Sequence, residues 1–399
     1  MNLCGLALVT DRPFGALNSA FLLALGLFLS LSPAVSAGTP AVGPAPAPPE
    51  ITYDPVWDWA ALVNNPQAPV VQYFGLNARY AGTYDWLDSN EGDNEGWENR
   101  RERLGLEGTF FRDLEFFSSF NLNTQAGDFF RSVDEIYLKW KPSAALNLSV
   151  GCIKPAITPE YRTADRYMIT AERSQLVLQV APTELWGAGI SGKVKSFLYD
   201  LGVYSAAGDV EHYGLPVDRG GVAVFVSGGY DFGEKGTVRA DYLYQDGNAE
   251  NNFVKPFHNV FSVSYEGTYL DSKLGLTTNV IYGEGQGQGL GDVWGLIVMP
   301  SYFVTPKVQV VARYGWSGGD GDDALLLPLR YDRTAPDLVS PRVNDYQSIY
   351  AGVNYYLSGQ HLKFMTGIEY ATATRNPADY ESWTITTSVR LSIGQGKRR

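Results

Sequence analysis

The sequence predicts an all-β fold: a transmembrane antiparallel up-and-down β-barrel of about 16 strands, after a cleaved signal peptide and a Pro/Ala-rich linker. Three observations predict it. Segments of alternating polar and apolar residues follow one another from Val70 to Ile393. Short and long connections alternate between them without a break. The apolar face that each segment carries has no other part of the chain to cover it, which leaves lipid.

The stretch from Glu98 to Lys193 shows the pattern most plainly. It opens as a hairpin of two long strands around Arg112-Asp113, with one greasy face. Two further strands, Asp134 to Lys141 and Leu146 to Ile153, meet at Pro142-Ser143-Ala144. A long charged excursion, 154–183, carries Arg162, Arg166 and Arg173 before the next strand, Glu184 to Val194.

Composition fits such a sheet. There are 43 Gly, 25 Tyr and 9 Trp, suited to tight turns and interfacial aromatic girdles. No long uninterrupted apolar run follows the N-terminal region, so spanning helices are not expected. Lys and Arg total 31 against 43 Asp and Glu, a net charge of −12. A nucleic-acid binder would carry a basic face, so that class is excluded.

At the N-terminus, Phe21 to Leu31 is apolar and Pro33-Ala34-Val35-Ser36-Ala37 follows. Small residues at Val35 and Ala37 fit export and cleavage after Ala37, giving a signal peptide over 1–37. Arg12 is its only basic side chain. Residues 38–69 read as a periplasmic linker, because Gly38 to Pro49 is too rich in Pro and Ala to pack; Trp57 to Leu62 fits a short helix. Cys4 leaves with the signal, so Cys152 has no internal disulfide partner and reads as a small buried or lipid-facing hydrophobe.

The barrel is placed at 70–393, with strands at 70–86, 98–111, 114–123, 133–141, 146–153, 184–194, 197–205, 220–231, 237–245, 259–270, 273–283, 292–303, 307–316, 347–357, 362–372 and 381–393. Long connections fall at 87–97, 124–132, 154–183, 206–219, 246–258, 284–291, 317–346 and 373–380. Short turns in one compartment and long loops in the other are the habit of outer-membrane barrels. A sandwich with Greek-key crossovers would not alternate so regularly. Both termini, including a basic tail at 394–399, then lie in the periplasm.

Parity assigns the faces. In the last strand Trp383, Ile385, Val389 and Leu391 oppose Thr384, Thr386, Ser388 and Arg390. In 307–316 Val308, Val310, Ala312, Tyr314 and Trp316 oppose Lys307, Gln309 and Arg313; in 237–245 the inward set is Arg239, Asp241 and Gln245. The inward parity gathers Arg79, Arg101, Arg103, Lys139, Lys141, Lys193, Arg239, Lys273, Lys307, Arg313, Lys363 and Arg390, with fewer acids, among them Glu107, Glu135, Asp241 and Glu369. Rings of Arg and Lys in a pore favour anions, and the planar guanidinium pairs with oxyanions. That these charges instead pair with the inward acids stays open at this point.

Four motifs carry a family resemblance. Arg100-Arg101-Glu102-Arg103-Leu104-Gly105-Leu106-Glu107-Gly108 resembles the basic strand opening of the phosphate-selective porin O/P family. Val133-Asp134-Glu135-Ile136-Tyr137-Leu138 resembles that family's next motif, and Val150-Gly151-Cys152-Ile153-Lys154-Pro155 a following one, with Cys152 in place of a polar residue. Arg166 to Ser174 resembles its constriction-loop stretch. The likeness covers 98–205. It implies a barrel of about 16 strands, usually trimeric, with the third loop folded into the lumen. By resemblance Arg101, Arg103, Lys154, Arg166 and Arg173 shape an anion path, with Glu135 near Lys154. Arg162, Arg239 and Arg313 complete the candidate set. The ending Leu391-Ser392-Ile393-Gly394 departs from the terminal aromatic common in such barrels.

The expected function is therefore an outer-membrane channel preferring anions, with phosphate or polyphosphate as candidate solutes. Its expected partners are outer-membrane lipid, lipopolysaccharide and two further copies of itself, with no nucleic acid, cofactor or metal. A non-selective porin is the nearest alternative, and a barrel enzyme or an adhesin the others. His212, His258 and His361 are the only histidines and show no metal spacing. The Gly283 to Gly289 run lacks the helix and lysine of a phosphate cradle, and Asp320 to Asp323 lacks EF-hand spacing.

Overall fold

The computed structural model describes residues 55–123, 129–205, 221–246, 257–285, 291–321, 324–328 and 331–394. The proposed signal peptide, most of the linker and the basic tail lie outside the described residues.

The barrel strands follow in chain order: β2 (Val71–Ser89), β3 (Gly92–Phe110), β4 (Leu114–Leu122), β5 (Phe130–Ser143), β6 (Leu146–Ile153), β7 (Leu185–Val194), β8 (Phe197–Ser205), β9 (Val222–Asp231), β10 (Thr237–Gln245), β11 (Phe257–Tyr269), β12 (Leu274–Gly285), β13 (Val293–Thr305), β14 (Val308–Gly319), β17 (Asp345–Ser358), β18 (Leu362–Thr374) and β19 (Tyr380–Ile393). A short strand, β1 (Ala61–Asn64), precedes them after a 3-10 turn, Pro55–Ala60. A two-residue pair, β15 (Leu325–Leu326) and β16 (Arg342–Val343), lies between β14 and β17. Every barrel strand is antiparallel to its neighbours in sequence, and β19 pairs with β2 from Ser382↔Ser89 to Ile393↔Ala78. The sheet is thus a closed ring of 16 strands, as lipid demands: hydrocarbon offers no partner to an open strand edge. Below Ala78 the edge of β2 that β19 has left is taken by β1, through Ala61↔Gly75 and Asn64↔Tyr73.

The period-2 alternation sorts the faces as expected. Along β19, Tyr380, Ser382, Thr384, Thr386, Ser388, Arg390 and Ser392 are buried inside, while Trp383 and Ile385 face out at 45% and 40% exposure. Outward Leu104, Leu138, Val150, Val203, Val226 and Ile368 form an apolar belt around the wall. Aromatic rings edge it. Trp140, Phe197, Tyr230 and Tyr269 stand near the short turns, and Trp86, Trp97, Trp316 and Trp383 near the long loops.

Three differences from the sequence reading have physical causes. The expected loop 87–97 is strand: β2 and β3 stay paired to Ser89↔Gly92, and Asn90-Glu91 makes the turn, with Gly92 at φ 113°. From Asp88 to Gly96 that tip is polar residues and glycine throughout, so it lacks the apolar alternation that marks a strand. Lys273 and Lys307 are exposed in short turns and do not line the lumen. The long connection 317–346 is not wholly irregular: it carries β15, β16 and a 3-10 turn, Asp332–Thr334, packed against other parts of the chain, while Asp322 and Asp323 lie outside the described residues.

Candidate functional site

The connection between β6 and β7, residues 154–184, folds through three short turns. Thr158 accepts from Tyr161 N at 3.3 Å and Pro159 supplies the preset φ for the helix Pro159–Arg162. A 3-10 turn, Asp165–Tyr167, and a helix, Gln175–Val180, follow. One face of the loop is apolar. Ile157, Leu176, Val177 and Val180 join inward Leu243, Phe257, Val260, Ile281, Val293 and Ile297 in one buried cluster. Each such side chain contributes roughly 1.5–3 kcal/mol by burial. Gly295 on β13 leaves room for this: a Cβ there would lie 2.6 Å from Leu176 Cδ2.

The other face is charged and reaches the wall on several sides. Arg162 meets Asp241 of β10 at 3.4 Å and Glu266 of β11 at 3.3 Å. Asp165 Oδ2 accepts from Arg101 Nε at 2.9 Å and Arg103 Nη1 at 2.5 Å, both on β3. Glu172 takes Arg100 at 2.7 Å, and Glu160 takes Arg313 of β14 at 3.2 Å. Wall side chains also grip loop carbonyls. Asn354 donates to Ile169 O at 2.8 Å, Lys363 to Arg166 O at 2.8 Å and Met168 O at 2.7 Å, and Arg390 to Ala171 O. Counted round the ring from β2, β3 is second and β11 tenth, so the loop is tied to opposite sides of the barrel and crosses its lumen.

A closed ring with such a crossing loop is the geometry of a porin, and the sequence agrees. The profile of the family described as phosphate-selective porin O and P matches residues 73–303, more than half of the chain. The chain belongs to the phosphate-selective porin O/P family. No curated protein gives a significant match. Solved structures agree in fold. OmpT of Vibrio cholerae is 15% identical with a TM-score of 0.53, covering 80% of this chain and 97% of that one. An anion-selective porin from Comamonas acidovorans is 11% identical at 0.55, covering 80% and 99%. Salmonella typhi OmpF, in complex with daunomycin, is 10% identical at 0.57, covering 80% and 98%. At these identities the likeness establishes the fold alone.

Within this porin the sequence-predicted residues fall into separate roles. Arg101, Arg103 and Arg173 converge on Asp165, and Arg103 also meets Asp134 at 2.8 Å. Burial alone would raise the Asp165 carboxyl, but Arg101, Arg103, Arg173 and Lys154 hold it well below the usual carboxylate range. Lys154 pairs with Glu184 at 3.1 Å and lies over the Tyr161 ring. Glu135 is buried on β5 beside Asp134. Arg313 bridges Glu160 and Glu369 and donates to Glu172 O. Arg162 and Arg239 stand with Asp241 and Glu266 on the far wall, Arg239 half-buried. Arg166 donates to Gly394 O at 3.1 Å.

Sequence parity missed Arg100 and Asp134, and a strand defect explains both. Register shifts lie at Arg100 on β3, between Asn99 and Arg101, and at Asp134 on β5, between Val133 and Glu135. A bulge lets two successive side chains face one way, so Arg100-Arg101 and Asp134-Glu135 all turn inward. Asp165, Glu160 and Glu172 were also missed, since loop carboxylates have no parity to read.

Four further cations lie beside this ion-pair set. Arg79, Arg166, Lys363 and Arg390 occupy the sector of β2, β18 and β19 under the loop, on the short-turn side. Arg79 donates to Ala78 O and Ile393 O, Arg166 to Gly394 O, Lys363 to Arg166 O, Met168 O and Gln360 Oε1, and Arg390 to Asp165 O and Ala171 O. Glu107, bonded to Tyr73 at 3.1 Å, lies beside Arg79 and Arg166; Asp165 also acts on Arg79, and Glu172 and Asp165 act on Arg390.

Proposed function

We propose that this porin is a water-filled diffusion channel of the bacterial outer membrane that prefers anions. The long loops face outward, the short turns face the periplasm, and the loop 154–184 is its constriction. The chain is exported through the signal at 1–37, assembles as a homotrimer and contacts lipid and lipopolysaccharide with its apolar belt. Anion preference rests on the sector of Arg79, Lys363 and Arg390. These three donate to backbone carbonyls, which orient a cation without cancelling its charge, and this supports a positive potential there even with Glu107, Asp165 and Glu172 nearby. Guanidinium forks in that sector suit phosphate-like oxyanions among the solutes.

The reading of a non-selective porin has its own support: Arg100, Arg101, Arg103, Arg162, Arg173 and Arg313 all meet carboxylates. Reconstitution in a planar bilayer under a potassium chloride gradient decides between them. A reversal potential of anionic sign supports anion preference; a value near zero supports the non-selective channel, and a cationic value defeats both the preference and its cause. Phosphate that depresses the chloride current would identify the oxyanion as a solute that binds on passage.

A catalytic role has weak support. Gly315-Trp316-Ser317-Gly318-Gly319 matches the spacing of a hydrolase nucleophile elbow. Ser317, however, lies within strand β14 and not on a strand-to-helix turn, and it donates to Gln175 Oε1 at 3.0 Å. His258 and His361 bond the carbonyls of Gln245 and Ser392. His212 lies outside the described residues.

A further inference from the structure

The segment 320–344 joins β14 to β17 and does more than connect them. Its hairpin sits on the constriction loop. Gln179 Nε2 donates to Ala324 O at 2.7 Å while Gln179 Oε1 accepts from Leu326 N at 3.1 Å. Gln175, one turn earlier, donates to Leu326 O at 2.6 Å and to Gln179 Oε1 at 2.7 Å. Two side-chain amides thus pair with the edge of β15 as a neighbouring strand would, at 6% and 7% exposure. Leu325, Leu327 and Val343, each fully buried, share the apolar cluster of Leu176 and Val180.

From there the segment runs along the mouth to β19, β2 and β3. Asp332 accepts from Tyr380 at 2.8 Å and Ser382 at 2.6 Å on β19. Tyr331 and Ala335 pack with Leu87 of β2. Asp337 N donates to Glu91 O at 3.2 Å and Asn94 Nδ2 to Thr334 O at 3.3 Å, at the tip of the β2–β3 hairpin. Arg375 bridges Glu91 and Ser340 O. The span starts at β14, thirteenth in the ring from β2, and ends at β2 and β3. It therefore lies across a chord of the long-loop mouth.

We propose that the parts of this segment at 324–328 and 331–344 form a second constriction at the long-loop mouth that sets the size of solute admitted, with Gln175 and Gln179 as the positioning residues that lock it onto the first. The charge that selects solutes lies elsewhere, in the arginines of the wall and the inner loop. Size and charge are then filtered by different parts of the chain. The inference rests on the channel reading.

The test is swelling of liposomes with neutral sugars of graded size, alongside the reversal potential. Because β14 and β17 already pair at Gly318↔Asp345, residues 321–343 can be replaced by a short Gly-Ser turn. The largest sugars should then enter several-fold faster, the smallest little faster, and the reversal potential should keep its sign. A rate-against-size curve like that of the intact protein overturns the proposal. If the shortened chain gives no heat-modifiable barrel, the full-length variant Gln175→Ala with Gln179→Ala is read by the same two curves and decides the matter. Intact protein whose vesicles never swell in any sugar defeats the channel reading itself.

Discussion

Arg103 and Asp165 are 62 positions apart and meet at 2.5 Å inside the barrel. The carboxylate is shared with Arg101 and Arg173, so one acid of the loop holds two cations of the wall and one of its own. This ties the loop to β3 and pairs the positive charge of these arginines with an acid.

Asp165→Asn separates those two effects. Removing one partner from a buried ion pair costs about 3–5 kcal/mol, so the loop should loosen and thermal unfolding should move to lower temperature. At the same time Arg101, Arg103 and Arg173 lose their shared counter-charge. The reversal potential should move further to the anionic side. Because the Asp165 carboxyl is held well below the usual range, its contribution is present above the ordinary carboxylate value near 3.9. It is lost only as pH falls through the depressed value, so mild acid should not mimic the substitution. A variant whose reversal potential matches the unsubstituted protein would show that these arginines are not sensed by the permeant ion.

Arg79→Glu addresses the other group of cations. Arg79 is held by Ala78 O and Ile393 O and sits with Arg166 and Glu107. Reversing its charge places a second carboxylate beside Glu107 and should shift the reversal potential toward cations. The shift should shrink in strong salt, where the Debye length falls to roughly 3 Å at 1 M. Equal shifts at low and high salt would mean that the substitution acts by reshaping the lumen.

Much of the architecture was legible because a half-buried strand writes its burial into every second residue. The inward Thr384, Thr386, Ser388 and Arg390 of β19 could be read directly. The bulges at Arg100 and Asp134 could not, since one inserted residue leaves no mark in the alternation. The acids that meet the wall arginines were hidden for another reason: Glu160, Asp165 and Glu172 sit in irregular backbone, where side-chain direction has no period. The segment 320–344 was hidden by composition. Its acidic, Gly-rich start at Asp320 reads as solvated loop, while Leu325, Leu327 and Val343 are too scattered to signal the hairpin they bury.

Excising residues 160–175 should raise single-channel conductance, because that stretch holds the contacts to β3, β14, β17, β18 and β19 that draw the loop across the lumen. It also removes Glu160, Asp165 and Glu172, so Arg100 and Arg101 should face the path without their loop carboxylates, while Arg103 keeps Asp134. Larger current with stronger anion preference is the expected pair of results. Unchanged conductance from a heat-modifiable barrel would place the narrowest point elsewhere.

Asp332 gives the long-loop mouth a pH dependence. Burial pushes its carboxyl up to about 6, against the lowering effect of hydrogen bonds from Ser382 and Tyr380, with Glu369 of β18 adding to the rise. Its other ionisable neighbour from the wall is Tyr346 of β17, and Arg375 lies over the Tyr380 ring. The raised value means that the docked segment prefers the protonated acid. That preference is fully present below the undocked carboxylate value and is lost as pH rises through about 6. Each pH unit between the two values weakens docking by about 1.4 kcal/mol. Segment 320–344 should therefore be held most firmly in acid and loosen toward neutral pH. Open-channel current noise and hydrogen exchange at Leu326 and Leu327 should rise between about pH 4 and 6 and level off above, a window set by the undocked carboxylate value and the docked value of about 6. Asp332→Asn keeps an acceptor for Tyr380 and Ser382 and carries no charge, so it should flatten both curves at their acidic level. A pH profile in the Asn variant as steep as that of the unsubstituted protein would assign the dependence to another group.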